Sequence, residues 1–153
     1  AGGDACGIVV VGRKDGRAYV LADRSKAGQS PQGWAMIVAQ TAREFGAREI
    51  VAEKNQGGEM VSAMLKSIDA TLPVTMVRAS RGKFTRAEPI AALYEQGRVR
   101  HAGSFPELED EMCDFVPAGL SSGRSPDRLD ALVWALTALL LSQRAGLPTV
   151  RNL

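Results

Sequence analysis

Two acids, far apart in the chain, are placed where a divalent cation could be held against a phosphodiester. Glu53 closes the run Arg48-Glu49-Ile50-Val51-Ala52-Glu53, whose apolar centre predicts a buried strand. The polar, Gly-rich stretch Lys54-Asn55-Gln56-Gly57-Gly58 follows it. Asp127 opens the segment Asp127-Arg128-Leu129-Asp130-Ala131-Leu132-Val133-Trp134-Ala135-Leu136, which reads as a strongly apolar helix behind Ser125-Pro126. An acid at a strand's carboxyl end and one at a helix start can meet over the edge of a sheet, where open α/β sheets bind ligands. Asp130 lies three residues beyond Asp127 on the same helix face. Each acid also has a plainer reading. Glu53 is equally a solvated loop acid, Asp127 a capping or first-turn acid favoured by the helix dipole, and Asp130 an ordinary first-turn acid. Asp4, beside Gly2 and Gly3, reads as a solvated terminal residue.

Other chemistries are poorly supported. The single histidine, His101, stands beside Arg98 and Arg100 and reads as a surface residue, so no Ser-His-Asp set is available. Cys6 and Cys113 lack zinc-ligand spacing and read as buried free thiols of a reducing compartment. No Gly-rich loop is followed by Lys-Ser/Thr, which argues against ATP hydrolysis at a P-loop. The segment Arg78-Ala79-Ser80-Arg81-Gly82-Lys83-Phe84-Thr85-Arg86 gathers four cations with hydroxyls and a glycine, and suits either phosphate contact or plain solvation. Arg43, Arg48 and Lys54 read as surface charges. A net charge of +2 is too mild to announce a nucleic-acid partner, so the clustering of charge matters more than its sum.

The elements that must position these residues are legible in outline. At 45% hydrophobic and 24% charged residues, the 153-residue chain is globular and long enough for a core. No apolar run reaches the ~18 residues of a membrane span. No secretory signal is recognisable at the polar, Gly-rich start. Gly7 to Arg13 and Ala18 to Asp23 form a hairpin about an Asp15-Gly16 turn. Ser30-Pro31 opens a helix that Gly46 closes. A second helix follows Gly57-Gly58, then a strand over Pro73 to Val77, a helix over Thr85 to Gln96, and an extended piece over Arg98 to His101. Two more helices cover Phe105 to Phe115 and Asp127 to about Ser142. Strands alternating with helices predict an α/β layered fold.

Four segments, in order, carry a family resemblance: Asp4-Ala5-Cys6-Gly7-Ile8-Val9-Val10, Ala52-Glu53-Lys54-Asn55-Gln56-Gly57-Gly58, Ala79-Ser80-Arg81-Gly82-Lys83 and Pro126-Asp127-Arg128-Leu129-Asp130-Ala131-Leu132. The chain resembles the C-terminal nuclease domain of the large terminase subunit of tailed bacteriophages and phage-like gene transfer agents. That resemblance implies an RNase H-like mixed sheet flanked by helices, and an endonuclease using two Mg²⁺ or Mn²⁺ ions. The domain would cut concatemeric or host double-stranded DNA during head filling, in the cytoplasm of the bacterial host. It implies Glu53 as the acid of the middle strand and Asp127 as that of the last helix, with Asp130 and Asp4 as accessory ligands. Arg81, Lys83, Arg86 and Asn55 would contact DNA. Its partners in the full protein would be an ATPase domain, the portal and the small terminase subunit, with no membrane. One departure stands out: the family's first, central strand ends in an Asp that bridges both metals, and nothing before Asp4 can form it. The chain is therefore expected to be one RNase H-like domain, a fragment of a larger packaging protein, with unpaired strand edges and weak nuclease activity of its own. A junction resolvase of the same fold, or a non-catalytic nucleic-acid-binding or docking module, are the other readings.

Overall fold

The computed structural model describes residues 5–54 and 58–142. Strand β2 (Val9–Lys14) turns back on β3 (Arg17–Asp23), and Asp15 and Gly16 take φ of 53° and 78°. That is the tight hairpin which an Asp-Gly pair favours, because its positive φ matches the twist of the strands. The short strand β7 (Val99–His101) joins β3 on its other side in parallel, Ala18 facing Val99 and Val20 facing His101. A second sheet pairs β5 (Ile50–Glu53) with β6 (Val74–Val77) in parallel. Helix α2 (Gly58–Ile68) lies between these two strands in the chain, the crossover that parallel pairing requires. A two-residue antiparallel pair joins β1 (Ala5–Cys6) to β4 (Lys26–Ala27). Among the described residues, β2 and β5 are each paired along one edge only.

Local chemistry explains the helices. In α1 (Pro31–Phe45) the Ser30 hydroxyl accepts the Gly33 N–H at 3.0 Å, Pro31 occupies the first helical position, and Gly46 closes the helix in the left-handed region. The remaining helices are α3 (Lys83–Glu95), α4 (Pro106–Asp114) and α5 (Asp127–Leu136). The last helix was expected to reach about Ser142. Its α-helical pattern stops at Leu136, and a wider π turn carries Thr137–Leu141. Cys113 is exposed rather than buried, because acid-rich α4 buries only Leu108 in the core.

Two cores form. Val20, Ile90, Leu93, Val99 and Leu108 pack with Leu129, Leu132, Val133 and Leu136, so β3, β7, α3 and α4 close over α5. Ile8, Ala35, Val38, Ala39, Ala42, Leu65 and Leu72 form the second, between α1 and α2. Gly7, in the link between β1 and β2, lies directly against the first turn of α5. A Cβ there would overlap the Asp127 carbonyl group and come within 3.1 Å of the Ala131 Cβ. Backbone, unlike a side chain, cannot step aside. Gly7→Ala should therefore cost about 1–3 kcal/mol by overpacking. Gly103→Ala, whose Cβ would find only Phe105 at 3.6 Å, is the control, since both substitutions reduce unfolded-state entropy alike. Equal urea midpoints for the two variants would show that the close approach is absent.

Candidate active site

Helix α5 divides its residues between two stripes. Leu129, Leu132, Val133 and Leu136 enter the core, while Asp127, Asp130 and Trp134 follow one another at i, i+3 and i+7 along a neighbouring face. Glu53, at the carboxyl end of β5, reaches this face: the Trp134 indole N–H donates to Glu53 Oε2 at 3.2 Å. From the first turn of α3, the Arg86 guanidinium lies over the Trp134 ring, 4.6 Å from its centroid. Arg86 Nη1 is also 3.0 Å from Asp130 Oδ1. This ion pair draws the Asp130 carboxyl down against the effect of its burial. Lys83 Nζ donates to the Ser125 hydroxyl at 3.0 Å and lies 3.8 Å from Asp130 Oδ2. Ser125 in turn donates to Asp127 Oδ1 at 2.7 Å.

The electrostatics follow from burial. Asp130 and Arg86 are each about 12% exposed. Burial pushes the Asp130 carboxyl above the usual carboxylate range and the charge of Glu53 adds to this, while Arg86 and Lys83 pull the other way. The charge of Glu53 thus opposes that of Asp130, and Arg86 and Lys83 offset it at Asp130. Lys83 and Arg86 occupy the first turn of a helix, where the dipole disfavours positive charge. Asp130 offsets that cost. The Cys6 thiol is pushed up to about 11, first by burial and then by the Asp127 carboxylate, which faces β1.

A second group of charges fixes where α5 begins. Pro126 at the N-cap supplies no side-chain bond; Glu111 of α4 accepts the Leu129 N–H at 3.3 Å. Arg128 reaches three carboxylates: Asp23 at the end of β3 (3.2 Å), Glu107 (2.6 Å) and Glu111 (3.6 Å). It ties the first turn of α5 to both β3 and α4. Asp127 stands at the edge of a cleft of about 630 Å³, together with Glu107, Asp110, Glu111 and Asp114.

The acids expected from the sequence are therefore distributed unevenly. Glu53 reaches the α5 face that carries Asp130, and Asp127 is tied through Ser125 to Lys83, which lies beside Asp130. Asp4 and Asn55 lie outside the described residues. Arg81 is exposed, and its carbonyl accepts the Arg86 Nε–H at 3.0 Å. Arg86, expected on a DNA-facing loop, is turned inward against Trp134 and Asp130. His101 is not a surface residue: its side chain is about 16% exposed and bonded on both sides, to the Tyr94 hydroxyl at 2.7 Å and Glu109 at 2.9 Å. That histidine bond, followed by the Phe105 N–H, holds the Glu109 carboxyl below its ordinary range. Trp134 and Arg128 were missed as site-forming residues. The i, i+3, i+7 spacing of Asp127, Asp130 and Trp134 was the available signal for the first. Among the described residues, no three His, Cys, Asp or Glu side chains gather closely enough to hold an ion unaided.

A family model described as the terminase RNaseH-like domain matches residues 1–139. The chain belongs to this family. The fold of this terminase domain is similar to the crystal structure of the large terminase nuclease from thermophilic phage G20c with bound cobalt. The TM-score is 0.64 at 15% sequence identity, covering 88% of this chain and 81% of that one. The expected mixed α/β architecture of the RNase H-like class is thus present. Among curated proteins none matches the terminase domain in sequence.

Removing the Arg128 guanidinium would leave Asp23 and Glu111 as largely covered, uncompensated acids. Arg128→Met should lower unfolding free energy by about 2–4 kcal/mol. Arg124→Met, at an exposed neighbour, should stay within about 0.5 kcal/mol. Urea denaturation at neutral pH separates the two; equal midpoints would mean that Arg128 does not anchor α5.

Proposed function

We propose that this terminase domain is a metal-dependent DNA endonuclease, one domain of a larger packaging protein that also carries an ATPase. It works in the cytoplasm of the bacterial host beside the portal and small subunit, cutting concatemeric double-stranded DNA during head filling. No helix among the described residues is long and apolar enough to cross a membrane. What supports the reading is the approach of Glu53, at a strand's end, to the face of α5 that carries Asp130. They are like charges, and Asp130 is about 12% exposed with Arg86 and Lys83 beside it.

These residues fit a hard divalent ion. Carboxylate oxygens are its preferred donors, and Mg²⁺ is commonly held by only one or two carboxylates, with water and substrate phosphate completing the shell. The G20c nuclease with bound cobalt supports a divalent ion in this fold. Two bound Mg²⁺ or Mn²⁺ ions would polarise the phosphodiester and activate the attacking water. Glu53 and Asp130 would hold them, Trp134 orients Glu53 through its N–H, and Asp127 is kept in place by the Ser125–Lys83 relay. Asp4 remains a candidate ligand and Asn55 a candidate DNA contact. Exposed Arg81, with Lys83, offers cations to DNA phosphates without reading bases, which suits cutting of low sequence preference.

In the full-length polypeptide, Glu53→Gln or Asp130→Asn should lower Mn²⁺-dependent nicking of supercoiled plasmid by on the order of 100-fold while DNA binding persists. Asp127→Asn should show whether the relayed acid matters as much. Wild-type rates in both the Glu53 and Asp130 variants would sink the assignment. Replacing Arg81 and Lys83 together by Ala should weaken binding to unrelated duplexes alike. It should also flatten the salt dependence by roughly one unit of slope per lost phosphate contact. An unchanged slope in a salt titration on two duplexes would exclude this loop as the phosphate contact.

A further inference from the structure

We infer that the outer face of the β2–β3–β7 sheet is a second DNA contact, which grips the duplex backbone away from the cutting site. The inference rests on the proposed DNA endonuclease and adds where a further part of the substrate is held. Alternation along the strands sorts the side chains. Ala18, Val20 and Val99 are buried in the core that α3, α4 and α5 close. Arg17, Tyr19, Leu21 and Arg100 alternate with them and turn to the other face. There Arg17, Leu21 and Arg100 are exposed and Tyr19 is half-buried. Register sets the neighbours: Lys14 stands opposite Arg17, and Gly12, Tyr19 and Arg100 form one row across the three strands. Adjacent strands lie about 4.8 Å apart, so three cations and a phenol share one small patch. Gly12 keeps the patch low, because the Leu21 side chain lies across it, 3.0 Å from where a Cβ would stand.

The charges point to the occupant. Lys14 and Arg17 are like charges directly opposite one another, an arrangement that disfavours the strand pairing itself. Among the described residues, neither they nor Arg100 has a carboxylate partner. Asp23, the one acid within the three strands, is bound by Arg128, and Asp15 in the turn is the acid nearest in the chain. An anion laid on this face relieves the repulsion that the fold leaves standing. DNA phosphates fit it in kind: they are contacted by Lys, Arg and Tyr side chains without any reading of bases. Position separates this surface from the acid site. Helix α5 packs on the inner side of the sheet, so duplex held on the outer side is a different stretch from the phosphodiester at Asp130.

The test measures duplex binding by the full-length polypeptide in EDTA, where no cutting occurs, across a salt titration. Lys14→Gln/Arg17→Gln should lower the slope of log affinity against log salt by about two units, on two unrelated duplexes alike. Arg48→Gln/Lys66→Gln removes the same charge at exposed positions outside the patch, and should shift the slope by less than about half a unit. Equal slopes in the two double variants overturn the inference. Arg17→Gln alone should weaken binding while its thermal midpoint at low salt stays level or rises, because a like-charge pair is gone. A fall in both assigns Arg17 to the fold and overturns the inference. The unmutated protein supplies a second readout, acetylation of Lys14 followed by mass spectrometry. Lys14 should react freely without DNA and several-fold less with duplex bound. Shielding of Lys14 without DNA means that another part of the polypeptide covers the face, and equal reaction with and without DNA means that duplex does not; either result overturns the inference. An unchanged slope, with nicking still lost in Glu53→Gln and Asp130→Asn, overturns this inference alone. A lowered slope, with nicking retained in both acid variants, overturns the metal site and supports the patch.

Discussion

The structure depends on compensating a carboxylate that is largely out of water at the start of α5. Asp130 is covered by its neighbours and faces Glu53, and either fact alone disfavours its charge. The surrounding architecture meets that demand. The first turn of α3 brings Lys83 and Arg86, against the preference of its own dipole, to the one place where an acid offsets the cost. Ser125 passes the influence of Lys83 on to Asp127. A site organised around buried negative charge favours cations.

Placing that charge requires α5 to start at a defined point, and three contacts define it. The Gly7 backbone closes against the Asp127 carbonyl, Glu111 accepts the Leu129 N–H, and Arg128 gathers carboxylates from β3 and α4. On the other side of the helix, Leu129, Leu132, Val133 and Leu136 anchor it in the core. A rigid platform would suit the proposed metal site, because such a site tolerates little displacement of its acids. The charged surroundings of α5 thus serve the geometry of the site as much as stability.

Membership of the terminase RNaseH-like domain family and the similarity in fold to the G20c nuclease agree with this arrangement without dictating its details. The approach of Glu53 to the face of α5 that carries Asp130, and the inward turn of Arg86, are features of these side chains. They surround a buried acid with compensating charge.

Much of the local structure was determined by the sequence itself. Asp15-Gly16 set the hairpin, Ser30, Pro31 and Gly46 bounded α1, and the apolar period of residues 129–136 turned α5 into the core. These are short-range effects: steric limits on φ, the nearest donors and acceptors, and the 3.6-residue repeat act within a few residues of their cause. The same locality made Glu53, Asp127 and Asp130 recognisable as candidates. Which of them meet, however, was decided by tertiary packing. Periodicity places Asp127, Asp130 and Trp134 on one face of α5, but it carries no information about what approaches that face. Strand β5 and helix α3 do so from 81 and 48 residues away along the chain, through Glu53–Trp134 and Arg86–Trp134. Only the folded arrangement therefore brought Glu53 to the face of α5 that carries Asp130, drew Arg86 out of solvent, and covered His101 between Tyr94 and Glu109. The physical reason is that a side chain's charge and hydrogen bonds are completed by neighbours in space, and those neighbours are set by the packing of both cores.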